Sequence, residues 1–151
     1  SLAPGSSHPV RAAAAPTTSR TVAPTPLADI EVAGEWRARL ERADRHLRDP
    51  ALHFRADLGW GVDQSARWIS TVGRLGQALR NDAATRAADA ALDSLLARQR
   101  PDGAFDPAAP PLDARVAWGE TRALLLLTDR LAEAPRDSAL RDAATLARKR
   151  S

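Results

Sequence analysis

From Gly34 onward the apolar residues fall at helical spacing, and each run ends at a proline, a glycine or a helix-capping residue. Trp36, Leu40, Ala43 and Leu47 stand at i, i+4, i+7 and i+11, which places them on one face of a helix. That run stops at Asp49-Pro50, because a proline ring clashes with a continuing helix. The same stripe returns in Trp68, Val72, Leu75 and Leu79, after an N-capping residue expected at Asp63. Asn81-Asp82 introduces a third helix, with the stripe Ala84, Ala88, Ala91, Leu92, Leu95 and Leu96, expected to run to Arg100, where Pro101-Asp102-Gly103 breaks it. A fourth helix is expected over residues 112–133, and a fifth from about Pro135, a favoured first-turn residue, to the C-terminus. Composition supports this reading. Of 66 hydrophobic residues among 151, 52 are Ala or Leu, strong helix formers, and β-branched and aromatic residues are scarce. The expected fold is therefore all-α, and a sheet protein is close to excluded.

Residues 1–32 differ from the rest. Pro4, Pro9, Pro16, Pro24 and Pro26 stand among many Ala, Ser and Thr, a composition that buries too little surface to offset its ordering entropy. The reading is a disordered leader, 1–32, followed by a helical domain, 33–151. Arg11 to Ala15 is too short and too weakly apolar for an intact signal peptide, so export after removal of such a peptide remains open. The absence of Cys removes a disulfide scaffold, a thiolate zinc site and a cysteine nucleophile from this chain. No run of about 18 apolar residues occurs, so no membrane partner is expected. Nor is nucleic acid: 22 basic residues face 19 acidic ones, interspersed along the helices as on a solvated surface, with no basic stripe carrying aromatic platforms.

An internal repeat refines the architecture. Aligning Trp68 with Trp118, an offset of 50 residues, also pairs Thr71 with Thr121, Leu75 with Leu125, Arg80 with Arg130, and Leu96-Ala97-Arg98 with Leu146-Ala147-Arg148. Ten identities in 33 positions compare with about four expected by chance for this composition. The repeating unit is a helical hairpin, and such hairpins stack because neither buries its apolar face alone. The expectation is an arc of antiparallel helical hairpins whose exposed outer faces permit self-association.

Three segments, Gln99 to Phe105, Val62 to Trp68 and Ala117 to Leu125, stand in an order and spacing that resemble bacterial β-L-arabinofuranosidases and, more broadly, six-hairpin (α/α)6-toroid glycosidases. Gln99-Arg100-Pro101-Asp102-Gly103-Ala104-Phe105 resembles the Q-x-P-D-G-[YF] turn that closes hairpins there. Val62-Asp63-Gln64-Ser65-Ala66-Arg67-Trp68 is similar to the acidic stretch ending in K-W that opens the preceding helix, and Ala117 to Leu125 is similar to the start of the next inner helix. The resemblance spans about residues 36–150. It implies an incomplete toroid-like arc, carbohydrate as substrate, and a catalytic zinc held by cysteines and a glutamate in a later part of the ring, so no cofactor or metal ligand within this chain. Six hairpins need about 300 residues, so the resemblance implies the amino-terminal part of a longer glycosidase-like protein, or a shortened homologue with an open ring. A departure lies at Arg115 to Glu120, where only Glu120 matches the family's His-Glu-rich segment.

In such toroids the N-terminal ends of the inner helices face the substrate. On that resemblance the substrate-binding candidates are Trp60, Asp63, Gln64, Arg67, Trp118 and Glu120. Their chemistry suits the role, since an exposed aromatic ring covers the C–H face of a sugar while carboxylate and amide groups take its hydroxyls. Two of them have a structural alternative, Asp63 as a helix cap and Trp118 as core, while Trp68 on its helix stripe is read as core outright. Asp63 and Glu120 are the one carboxylate pair that neighbouring inner helices could bring together for acid/base hydrolysis. His46 and His53 flank Pro50 without a third ligand at metal spacing, and Asp102 is read as a turn residue. Two rivals accompany the hydrolase reading: a non-catalytic helical repeat module binding carbohydrate or protein, and a terpene cyclase, disfavoured by 4% aromatic residues and the lack of a D-x-D-D cluster.

Overall fold

The structure, a computed structural model, describes residues 25–49, 61–105 and 114–149. Every regular element among them is helical: α1 (Gly34–Arg48), α2 (Val62–Leu79), α3 (Asp82–Leu96), α4 (Ala114–Glu133) and α5 (Ser138–Arg148), preceded by one 3₁₀ turn, Leu27–Asp29, that lies against α2. Most of the expected leader lies outside the described residues. None of these helices is long and apolar enough to cross a membrane.

Local chemistry explains the boundaries. Helix α1 carries the i,i+4 ion pairs Glu35–Arg39 and Arg37–Glu41, and it ends at Asp49, whose extended ψ of 117° is what a following proline demands. Helix α2 is capped by Gly61, so Asp63 sits in the first turn, where a carboxylate complements the helix dipole, and the expected cap role does not hold. Its C-terminus turns at Arg80 in the left-handed region (φ 52°), with Arg80 N–H donating to Gln77 and Asn81 N–H to Gly76. Asn81 then caps α3, its Oδ1 accepting from the amides of Ala83 and Ala84. Asp137 does the same for α5 at the Leu140 amide, which moves that helix start from the expected Pro135 into the following turn.

Helix α3 stops at Leu96, four residues earlier than expected, because residues 99–105 form a bonded turn of their own. Arg100 N–H donates to Ala104 O at 2.8 Å, Gly103 N–H to Arg100 O at 2.8 Å, and Ala104 N–H to the Asp102 carboxylate at 3.2 Å. Gly103 adopts φ +89°, and a Cβ there would collide with the Leu146 carbonyl of α5. Gln99 spans the same junction, donating to Gly103 O at 3.2 Å and to Ala143 O at 3.0 Å. Phe105 ends the turn fully buried.

Contacts define how the helices run. Gly76 abuts the Thr85 backbone and Gly73 lies beside Ala88, so α2 and α3 form an antiparallel hairpin; α4 and α5 form the next. Gly119 meets Asp63 while Arg74 meets Asp129, so α2 and α4 run parallel, side by side. The main core lies between the hairpins, drawing Val62, Ala66 and Ile69 from α2, Leu92 and Leu95 from α3, Ala123, Leu126 and Leu127 from α4, and four residues of α5 around Phe105. Arg130, mostly buried beside Gly73, reaches Asp89 on α3 at 3.3 Å and Glu133 at 3.4 Å, tying α4 to the first hairpin.

Helix α1 covers a smaller cluster of Val72, Ala84 and Ala88 with Leu47 and Trp68. The Trp68 indole N–H donates to Leu47 O at 2.9 Å, in keeping with its reading as core. Asp44, only 2% exposed, accepts from both Arg48 nitrogens and from Asn81 Nδ2 at 2.9 Å, which joins α1 to the α2–α3 turn. The hydrogen bond to Asp44 raises the Arg48 pKa above its ordinary value, against the opposing effect of burial. The stripe expected to bury Trp36 docks chiefly through Leu47: Ala43 is exposed, and Trp36 is 69% exposed with the Arg39 guanidinium over its ring. The polar anchor Asp44, one residue beside the stripe, sets the rotation of α1.

Candidate functional site

A groove of about 270 Å³ follows the seam between α2 and α4. On α2 it is lined by Ala66, Arg67, Ser70, Thr71 and Arg74, a polar face at i, i+3, i+4 and i+7 from Arg67 that lies away from the apolar stripe. On α4 it is lined by Arg122, Leu125, Leu126 and Asp129. The seam is tight at its N-terminal end, where a Cβ on Gly119 would stand 3.3 Å from the Asp63 amide nitrogen.

Charged groups organise the groove. Arg67 Nε donates to both Asp63 oxygens at 3.0 Å, and Arg122 Nε lies 3.6 Å from the same carboxylate. The Arg122 guanidinium sits 5.3 Å from the centre of the Trp118 ring, a cation–π arrangement that orients an indole which is itself 54% exposed. Further along, Arg74 pairs with Asp129 at 3.0 Å across the groove. These are solvent-accessible pairs, each worth at most about 1 kcal/mol, so they position side chains and yield readily to a ligand.

Of the six sequence candidates only Arg67 lines this groove; Asp63 and Trp118 stand beyond its end, joined to it through Arg67 and Arg122. Gln64 is exposed and lies off its lining, and Trp60 lies outside the described residues. Glu120 faces elsewhere, its Oε1 accepting the Phe105 amide at 2.9 Å and fastening the 99–105 turn to α4. Residues two apart on a helix are separated by about 200° around its axis. Arg122 meets Asp63 on one side of α4 and Glu120 meets Phe105 on the other, so the geometry does not assemble the expected carboxylate pair.

Reasoning from the sequence missed Ser70, Thr71, Arg74, Arg122 and Asp129. The polar spacing that continues from Arg67 along α2 was the available signal for three of them. A larger open furrow of about 530 Å³ lies between α3 and α5, where the one amide side chain, Gln99, is already bonded twice. Among the described residues no three His, Asp or Glu side chains converge as metal ligands. Compared with protein-family models, curated proteins and solved structures, the chain matches none.

Proposed function

We propose that this all-α chain is a carbohydrate-binding helical-hairpin element of the glycoside-hydrolase type, holding a sugar in the α2–α4 groove and performing no hydrolysis with the residues described. The observation that carries this reading is the exposed Trp118 ring, braced by Arg122 at the end of a groove lined with hydroxyl, carboxylate and guanidinium groups. A flat indole beside hydrogen-bonding side chains is the chemistry that packs against the C–H face of a pyranose or furanose while satisfying its hydroxyls. The parallel pairing of α2 and α4, with their N-terminal ends together, agrees with the inner helices of the six-hairpin glycosidases that the motifs resemble. Recognition is favoured over hydrolysis because Asp63 is held by two guanidiniums and Glu120 by a backbone amide. Titration of soluble arabino- and galacturono-oligosaccharides, followed by calorimetry, tests it. Saturable binding that weakens about tenfold in Trp118→Ala is expected. Absence of binding, or binding untouched by that substitution, would overturn the reading.

A further inference from the structure

Resting on that reading, we infer that the sugar taken by the α2–α4 groove is acidic, a uronate or uronate-containing oligosaccharide whose carboxylate is gripped by Arg67, Arg122 and Arg74. Grooves for neutral sugars are lined chiefly with carboxylates and amides that share out hydroxyl groups. This one is lined with guanidiniums: three arginines face two carboxylates, leaving one positive charge in excess within a single furrow.

The arginines are placed to accept an anion. Arg67 engages Asp63 through Nε alone, so its terminal amino pair, on a side chain 53% exposed, makes no hydrogen bond among the described residues. Arg122 is held by a long 3.6 Å contact to Asp63 and by the Trp118 face. A guanidinium held beside a ring and reaching Asp63 through Nε keeps its terminal amino groups for a carboxylate, and two parallel N–H···O bonds to that group are stronger and more directional than any bond to a hydroxyl. Trp118 and Arg122 together form a unit in which the ring supports the sugar and the fork beside it takes the acid. Arg74 stands seven residues beyond Arg67, about 10 Å further along the helix, a spacing of roughly two sugar repeats that places a second guanidinium at the next unit but one of an extended chain. Its partner Asp129 is 53% exposed, so the pair opens at little cost when a ligand carboxylate replaces it.

Trigalacturonic acid and its fully methyl-esterified form are the deciding probes, titrated against the full 151-residue chain. The two share every hydroxyl and differ in charge. The acid is expected to bind at least about tenfold more tightly than the ester, with affinity falling as salt rises. The double variant Arg67→Gln/Arg74→Gln, and separately Arg122→Gln, are expected to weaken acid binding far more than ester binding and so erase most of that advantage, with the helical circular dichroism spectrum unchanged. Equal affinity for acid and ester would overturn the acidic preference and leave carbohydrate binding standing. Failure of both probes, together with arabino-oligosaccharides, would remove the carbohydrate reading as well. Inorganic phosphate or sulfate displacing the acid at equal concentration would also overturn the inference, since the groove would then recognise charge without the sugar.

Discussion

Trp68 and Trp118 stand at matching positions of the internal repeat, yet they lead opposite lives. Trp68 lies under α1, packed on both core clusters, with its indole N–H committed to the Leu47 carbonyl. Trp118 presents half its surface to solvent and is steadied by a guanidinium. Arg80 and Arg130, also aligned by the repeat, diverge as far: one is an exposed residue in a left-handed turn, the other a mostly buried tie between α4 and α3. The caps of α3 and α5 are Asn81 and Asp137, so by these elements the structural period runs slightly longer than the 50 residues of the best sequence match. The same letters therefore meet different neighbours. What decides whether a repeated tryptophan is packed or left exposed is the presence of a covering helix.

The sharpest way to break this contrast is to remove each ring. Trp68→Ala is expected to cost about 3 kcal/mol in chemical denaturation, from lost packing and an orphaned Leu47 carbonyl, whereas Trp118→Ala should stay within about 0.5 kcal/mol of the parent. Equal losses at the two sites would show that solvent does not distinguish them. Gly76→Ala comes next. Its Cβ would stand 2.8 Å from the Thr85 backbone nitrogen, a contact that forces α2 and α3 apart, so a loss of about 2 kcal/mol and a lower melting temperature are expected.

The paired caps sharpen the comparison on a smaller scale. Asp137→Ala removes one capping bond and should cost about 1 kcal/mol. Asn81→Ala also strips a donor from the buried Asp44 carboxylate, so its loss should reach about 2 kcal/mol, with α1 loosening first in amide exchange. A last effect has the opposite sign. Arg80→Gly is expected to stabilise by about 1 kcal/mol, because glycine occupies the left-handed turn without steric cost; a neutral result would mean that the surrounding turn already absorbs the strain.

Much of the fold was legible because it rests on local signals. The stripes, Asn81-Asp82 as a cap, and Pro-Asp-Gly as a turn each have a short-range cause, and all five helices stand where those signals put them within a few residues. Asp102 is indeed a turn residue. Features set by tertiary partners were less visible. Trp36 has the spacing of a core residue, but Asp44, which reads as a polar surface residue, anchors α1 and leaves that ring outside. Glu120 resembles a site carboxylate until Phe105 arrives from the preceding turn to claim it. Arg122 and Asp129 join the site through the parallel seam of α2 and α4, a relation between chain segments more than 40 residues apart that no local spacing records.

The turn at residues 99–105 behaves as a rivet driven through both hairpins. Gln99 and Gly103 fix it to the Ala143 and Leu146 backbone of α5, Phe105 plugs the shared core, and Glu120 clamps its last amide to α4. Stacked repeats that touch only through side chains can fray one unit at a time. Here the peptide that leaves the first hairpin is bonded into the second before the chain has begun to build it. Melting either hairpin strands a buried phenylalanine and several backbone groups of the other, so the pair gains and loses its structure as one body.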